Sequence, residues 1–191
     1  DHVINIEAFK SGGVAEALAQ IEERSERLGD LADVKVGLGA YGIGRGKPAQ
    51  TKDMIEKRVY HANHKASHQY YKYIDGRDVC RYWIGWSGEY LKYGEHLREP
   101  RNDFHLFSTK RILVRQIPSK PPYCINAGLA EETFLNDRNS MNIINMRESP
   151  ELLLGIINSR LLSFWFVHKF GKLQRGTFPQ FKVNELASFP I

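Results

Sequence analysis

Closely spaced glycines, clustered histidines and two lone cysteines are the residues of this chain whose spacing could do chemistry. Gly37-x-Gly39-x-x-Gly42 matches a dinucleotide-binding loop. That chemistry needs a helix to open at the third glycine, so that its N-terminus faces the pyrophosphate. The residues that follow, Ile43-Gly44-Arg45-Gly46-Lys47-Pro48, cannot open one. A Walker-type loop fails too, because Pro48 stands where Ser or Thr would hold Mg²⁺. What remains is a flexible loop whose backbone amides, with Arg45 and Lys47, suit phosphates or a groove. His61-x-x-His64-x-x-x-His68 has the spacing of metal ligands on one helix face. No fourth ligand is near: Cys80 and Cys124 are isolated and no CxxC exists. Solvated or DNA-facing histidines are the expectation, and no metal.

Other fragments of catalytic motifs are incomplete. Lys120-Pro121-Pro122-Tyr123 has the shape of the (N/D)PP(Y/F) motif of amino-methyltransferases, but lysine offers no acceptor for the target amine. Asp33-Val34-Lys35 matches half of a Mg²⁺-binding nuclease site, without the preceding Pro-Asp. Tyr82-Trp83-Ile84-Gly85 matches half of a GIY–YIG nuclease, without its partner upstream. No catalytic set is complete, so no catalytic residue, metal or cofactor is assigned to this chain.

The charge is more telling. The chain has 191 residues and a net charge of +5. Residues 1–34 hold 3 Lys/Arg against 8 Asp/Glu, and the rest hold 24 against 14. An acidic N-terminal extension therefore precedes a basic body, which suits a polyanion. Cations recur beside aromatics, as in Arg58-Tyr60, Tyr71-Lys72-Tyr73, Arg81-Tyr82-Trp83 and Tyr90-Lys92-Tyr93. Such pairs suit phosphates and unstacked bases, and equally the packing of hairpin faces. Two cysteines do not suggest a disulfide framework. A reduced cytoplasmic setting is expected, though a bridge between them stays open. No apolar run is long enough to span a bilayer, and the start at Asp1 reads as a fragment of a longer polypeptide.

The elements that would position these residues follow from periodicity. Val14 to Leu28 reads as an amphipathic linking or spacer helix, with Ala15, Leu18, Ile21 and Leu28 on one face. Residues 1–30 form this acidic linker, and 31–191 the main domain. Leu31 to Leu38 contains a strand, and Gly37 to Thr51 is a loop. Val59-Tyr60 and Tyr70 to Ile74 are β-prone. Tyr82 to Trp86 and Glu89 to Tyr93 flank a turn at Ser87-Gly88. Arg111 to Ile117 alternates and is rich in β-branched residues, and two or three further strands lie between Tyr123 and Met146. Ser149 caps a helix with Pro150 at its first position. That helix is expected to run to Phe170, where Gly171 ends it. Within it, the Asn158 amide is expected to satisfy backbone groups of a nearby loop. The fold class is α+β: a mostly antiparallel twisted sheet, an N-terminal amphipathic helix and a buried C-terminal helix.

Several segments, in order, carry a family resemblance. They are Tyr73-Ile74-Asp75-Gly76-Arg77-Asp78-Val79-Cys80-Arg81-Tyr82, then Lys110-Arg111-Ile112-Leu113-Val114-Arg115-Gln116-Ile117, then Leu152 to Leu162. Gly176-Thr177-Phe178-Pro179-Gln180-Phe181 and Leu186 to Ile191 complete the series. This order resembles the TaqI-like C-terminal specificity domain, the target-recognition part of DNA methyltransferases and combined restriction-methylation enzymes. The likeness runs from about Leu28 to Ile191. One departure is the loop after the first strand. In the family it reads closer to GxxTGxNxxF, and here it is Gly42 to Pro48.

The resemblance implies a module that reads double-stranded DNA for a methyltransferase domain of the same polypeptide. That domain most often methylates adenine N6 with S-adenosylmethionine, and Mg²⁺ enters where the parent also cleaves. Loop cations are the candidates for base edges: Arg45, Lys47, Arg77, Arg81, Arg101 and Arg175, since Arg grips guanine O6 and N7 together. Gln50, Asn102 and Gln174 are the candidates for adenine. Arg115 and Arg111, on the expected central strand, and Arg160, in the buried helix, suit structural pairs or phosphate contacts. An alternative is an adaptor module like a type I specificity subunit, for which the N-terminal helix is too short. A third is a self-contained enzyme with an unrecognised site.

Overall fold

The computed structural model describes residues 12–171 and 180–191. It is an α+β fold of two four-stranded sheets. The first sheet has the order β1-β8-β5-β6, antiparallel throughout: β1 is Asp33–Val36, β5 Arg111–Arg115, β6 Ala127–Ala130 and β8 Ser140–Ile144. The second has the order β2-β4-β3-β7, with β2 at His61–Ala62, β3 at Tyr70–Ile74, β4 at Tyr90–Lys92 and β7 at Leu135–Asn136. Its β3–β7 pair is parallel.

Alternation along the strands sorts the first sheet's side chains onto two faces. Ile112, Val114, Met141 and Ile143 face a core shared with Leu153, Ile157, Trp165 and Phe166. Leu113 goes the other way, to Ile74, Val79 and Phe134, and Ile144 joins Leu91, Leu97 and Phe107. Helices therefore cover one face of the first sheet and the second sheet covers the other. Arg111 is wholly buried between the layers. Its guanidinium donates to the carbonyls of Phe107 (2.8 Å) and Phe134 (2.6 Å) and to Asn142 Oδ1 (3.0 Å). Burial lowers its pKa to about 10. Seated among acceptors, it fills the structural role expected of it.

The helices depart from the sequence reading in two places. Helix α1 is Gly12–Glu23 and stops well before Leu28. Beyond it, Glu26 exchanges two backbone bonds with Ile191 and the Leu28 amide donates to Phe189. These long-range partners replace helix continuation, and Leu28 starts the short helix α2, Leu28–Leu31. Nor does α1 stand apart as a spacer. Leu18 and Ile21 pack on the main core, and Glu22 accepts the Trp165 indole N–H (2.8 Å) and pairs with Lys169 (2.7 Å).

The long C-terminal helix is two helices. After the short helices α3 (Lys52–Glu56) and α4 (His105–Ser108), α5 runs Pro150–Ile157 and α6 runs Arg160–Phe170, bent by 56°. Ser149 caps α5 by accepting the Leu152 amide, and Gly171 ends α6 at φ 58°, both as expected. The break is made by Asn158, whose carboxamide bonds β6, and by Ser159, which caps α6. Arg160 therefore starts a helix and is exposed, not enclosed within one. Helix α7, Val183–Ala187, closes the core with Phe181 and Phe189. No single helix among the described residues is long and apolar enough to cross a membrane.

Two strand expectations also shift. The first β-prone piece pairs at His61–Ala62, two residues later than Val59-Tyr60. Tyr82 to Trp86 forms no strand, only isolated bridges at Tyr82 and Ile84, with Tyr82 at φ 73°.

Candidate nucleic-acid interface

The chain from residue 41 to 101, between β1 and β5, carries twelve Lys/Arg against seven Asp/Glu. On its surface two hollows meet at Arg58 and His61. The larger, about 490 Å³, is lined by Lys57, Arg58, His61, Asn63, Arg77 and Glu89, among others. The smaller, about 230 Å³, adds Tyr41, Tyr73, Arg98, Asp137 and Arg138.

Each side chain is placed by a nearby backbone feature. Thr51 caps α3, and Arg58 follows it at φ 48°. Arg58 clasps Glu89 through its two terminal guanidinium nitrogens, at 2.8 and 2.9 Å. His61 opens β2, stacks on Tyr41 and meets Tyr73 edge-on. Its Nδ1 lies 2.9 Å from the Tyr41 oxygen. Burial, helped by Arg58, lowers the His61 pKa to about 4, so the ring is neutral. The side chain is only 7% exposed, so of the two readings of that stretch, solvated or DNA-facing, the first does not fit His61. Arg98 and Arg138 share the carboxylate of Glu99, at 3.5 and 3.0 Å.

The tyrosines do not prepare a reaction. Burial raises Tyr41 to about 12 and Tyr73 well above its ordinary value, which makes both poor nucleophiles. Burial also raises Asp137 to about 6, against the lowering effect of the Asn139 bonds. Among the described residues no group of His, Cys, Asp or Glu could hold a metal ion. Cys80 and Cys124 are both free thiols, and burial raises Cys124 to about 11. The surface offers charge, hydrogen-bond donors and shape, which suits gripping anions.

The ten candidate DNA contacts fall into separate groups. Arg45, Lys47 and Arg77 are exposed, and Arg77 lines the larger hollow. Arg45 and Arg98 both flank Gly42, where a side chain would strike Arg98. Lys47 stands 3.9 Å from Glu95, and Arg77 3.5 Å from Asp75. Gln50 is a correction. It is 2% exposed, accepts the Gly42 amide (2.8 Å) and donates to the carbonyls of Ala40 (3.0 Å) and His96 (2.6 Å). An amide so engaged staples the loop that presents Arg45 and cannot read adenine.

Arg101 is half-buried at φ 67° and donates to the Gly37 carbonyl (2.9 Å). It is held by the scaffold, beside exposed Asn102 in a groove along β1. Arg81 is elsewhere, on the α5–α6 side. It donates to the Asn158 carbonyl (3.2 Å), and its guanidinium lies 4.6 Å from the ring of Tyr82 and 4.0 Å from that of Tyr123. Arg115 is half-buried on β5, on the same face as Leu113. Gln174 and Arg175 lie outside the described residues. Sequence reading passed over Arg98 and Arg138. Their signal is spatial, since Glu99, next to Arg98 in the chain, reaches Arg138 on a separate segment.

No curated protein matches this chain. The model of the TaqI-like C-terminal specificity domain matches residues 71–191, which takes in Arg77, Arg98, Arg138, both sheets' later strands and the paired helices α5 and α6. The chain therefore belongs to the family of TaqI-like C-terminal specificity domains, the DNA-recognition part of restriction-modification enzymes.

Proposed function

We propose that this domain reads duplex DNA on its hollowed side and positions it for a methyltransferase domain on the same polypeptide. The observation that carries the reading is the convergence of Arg58, Arg77, Arg98 and Arg138 around two joined hollows, with Arg45 beside Arg98. Arginine suits both phosphate clamping and guanine readout. In this reading Arg45 and Lys47 approach the groove from a loop stapled by Gln50, and the paired arginines exchange carboxylates for phosphates. Ion pairs this exposed are weak enough to exchange.

Methyl transfer to adenine N6 from S-adenosylmethionine, and any Mg²⁺-dependent cleavage, belong to the neighbouring domain. The target base is flipped toward that side. The exposed aromatics Tyr82, Trp83 and Tyr123 lie away from the hollows and suit the contact between the two domains.

The test is selection of this chain on a randomised duplex library at two salt concentrations, followed by sequencing of the retained pool. A short enriched motif supports specific readout by this domain alone. Salt-sensitive retention without enrichment places phosphate contacts here and specificity in the joined domains. No retention at either salt removes DNA binding from this fragment.

A further inference from the structure

His61 has one ring nitrogen without a partner. Its Nε2 is buried, with no hydrogen-bond partner among the described residues. The other nitrogen, Nδ1, meets the Tyr41 hydroxyl. That hydroxyl oxygen already accepts the Tyr60 amide at 3.1 Å, and we assign its own proton to the bond with Nδ1. The neutral ring then carries its proton on Nε2, as a donor with nothing to receive it. Native structures rarely keep such a group without a reason.

The ring is a wall between the two hollows. Tyr41 lines only the smaller and Glu89 only the larger. Nε2 therefore turns toward the larger hollow, where Glu89 Oε2 stands 3.9 Å away, too far for a hydrogen bond. Both Glu89 oxygens are held instead by Arg58. A carboxylate clasped by a guanidinium in front of an orphan N–H occupies the place of an anion's oxygens. Phosphate matches that fork in geometry and exceeds the carboxylate in charge.

We propose that the larger hollow is a phosphate seat. A phosphate ester displaces Glu89 from Arg58 and accepts the His61 Nε2–H, while Lys57 and Arg77 supply charge at the rim. The Arg58–Glu89 pair, 49% and 26% exposed, is open enough to swing aside. This rests on the DNA reading for the source of the phosphate, the backbone of a bound duplex. A free phosphomonoester is the other source of the same chemistry.

The experiment uses the full chain and follows the His61 side-chain nitrogens by NMR. A short duplex and inorganic phosphate are titrated separately. Duplex affinity is measured for the wild type, Glu89→Gln and Lys57→Ala/Arg77→Ala, each checked for native circular dichroism. Duplex should shift Nε2, and Glu89→Gln should tighten binding about threefold or more, since it removes the competing charge. Lys57→Ala/Arg77→Ala should weaken binding about tenfold and flatten the log–log salt slope by about two. A shift with inorganic phosphate but no retention of duplex keeps the seat for free phosphomonoesters and overturns the DNA reading. Salt-dependent duplex binding with silent His61 nitrogens and no gain from Glu89→Gln overturns the seat and leaves the DNA reading intact. A ring that responds to neither ligand overturns the seat outright.

Discussion

Replacing Asn158 by leucine isolates the hydrogen bonds that hold the paired helices to the first sheet. Asn158 is fully buried. Its Oδ1 accepts the Ala127 amide at 3.0 Å, and its Nδ2 donates to the carbonyls of Ala127 (2.9 Å) and Leu154 (3.1 Å). β6 is an edge strand, so this carboxamide stands where a neighbouring strand's peptide would. Leucine has similar volume and none of these bonds. Two of the abandoned groups keep other partners: Ala127 O still accepts the Tyr82 amide, and Leu154 O the Asn158 amide. Only the Ala127 N–H is orphaned, at roughly 1–3 kcal/mol, with about 0.5–1 kcal/mol for each of the other two bonds. The sum is about 2–5 kcal/mol, or a fall in Tm on the order of 4–20 °C for a chain of this size. Urea unfolding followed by far-UV circular dichroism measures it, with an unchanged m value as the sign that only stability moved. A loss below about 1 kcal/mol would refute the idea that this amide ties the helices to the sheet. Arg81, which donates to the Asn158 carbonyl, provides a local check through a change in Tyr82 fluorescence.

Four further outcomes test the fold and the interface. Arg45→Ala with Lys47→Ala should weaken DNA binding and flatten its salt slope by about one to two; an unchanged slope takes the loop out of the interface. Gln50→Ala should destabilise by about 1–3 kcal/mol through the orphaned Gly42 amide, and limited proteolysis should then cut first between Gly42 and Gln50. Leu153→Ala, in the main core, should cost ~2–5 kcal/mol, and a melting shift worth under about 1 kcal/mol would contradict its burial. Asp137 binds its proton more tightly folded, at about 6, than its ordinary 3.8. Its raised pKa therefore favours the folded state at low pH, and that advantage is lost as pH rises from about 4 through 6. Stability of the wild type relative to Asp137→Asn should fall over that window, and a flat difference would show that the carboxyl is not desolvated.

Features with local causes were legible in the sequence. β5 could be read because Ile112, Leu113 and Val114 sit in a β-branched run that a proline pair ends. The start of α5 could be read because Ser149 and Pro150 are its own capping residues. The bend after Ile157 could not, because its cause is Ala127 on β6. Asn158 was expected to satisfy backbone groups, yet the helix was still drawn straight through it. Gln50 looked like a loop reader because its partners, His96 above all, are far along the chain. Thr51 does announce α3 as its N-cap, but the loop reading, Gly37 to Thr51, takes it as the loop's last residue. The hollows were the least legible feature. They need Arg58, Glu89, Arg98 and Arg138 from four separate segments, joined by strand pairings that no local pattern records.

The path of the chain through the first sheet has a consequence for synthesis. Among the described residues β1 pairs only with β8, so Asp33 waits for Ile144. At ribosomal rates, roughly a hundred residues take on the order of 5–20 s to make. Throughout that interval Val34 and Val36 belong to a strand with two unpaired edges, a template open to any other chain. The strand is short, and Asp33 and Lys35 remain exposed in the finished sheet. Those two charges are what a nascent chain needs to keep its first strand from pairing with a stranger before its own partner has emerged.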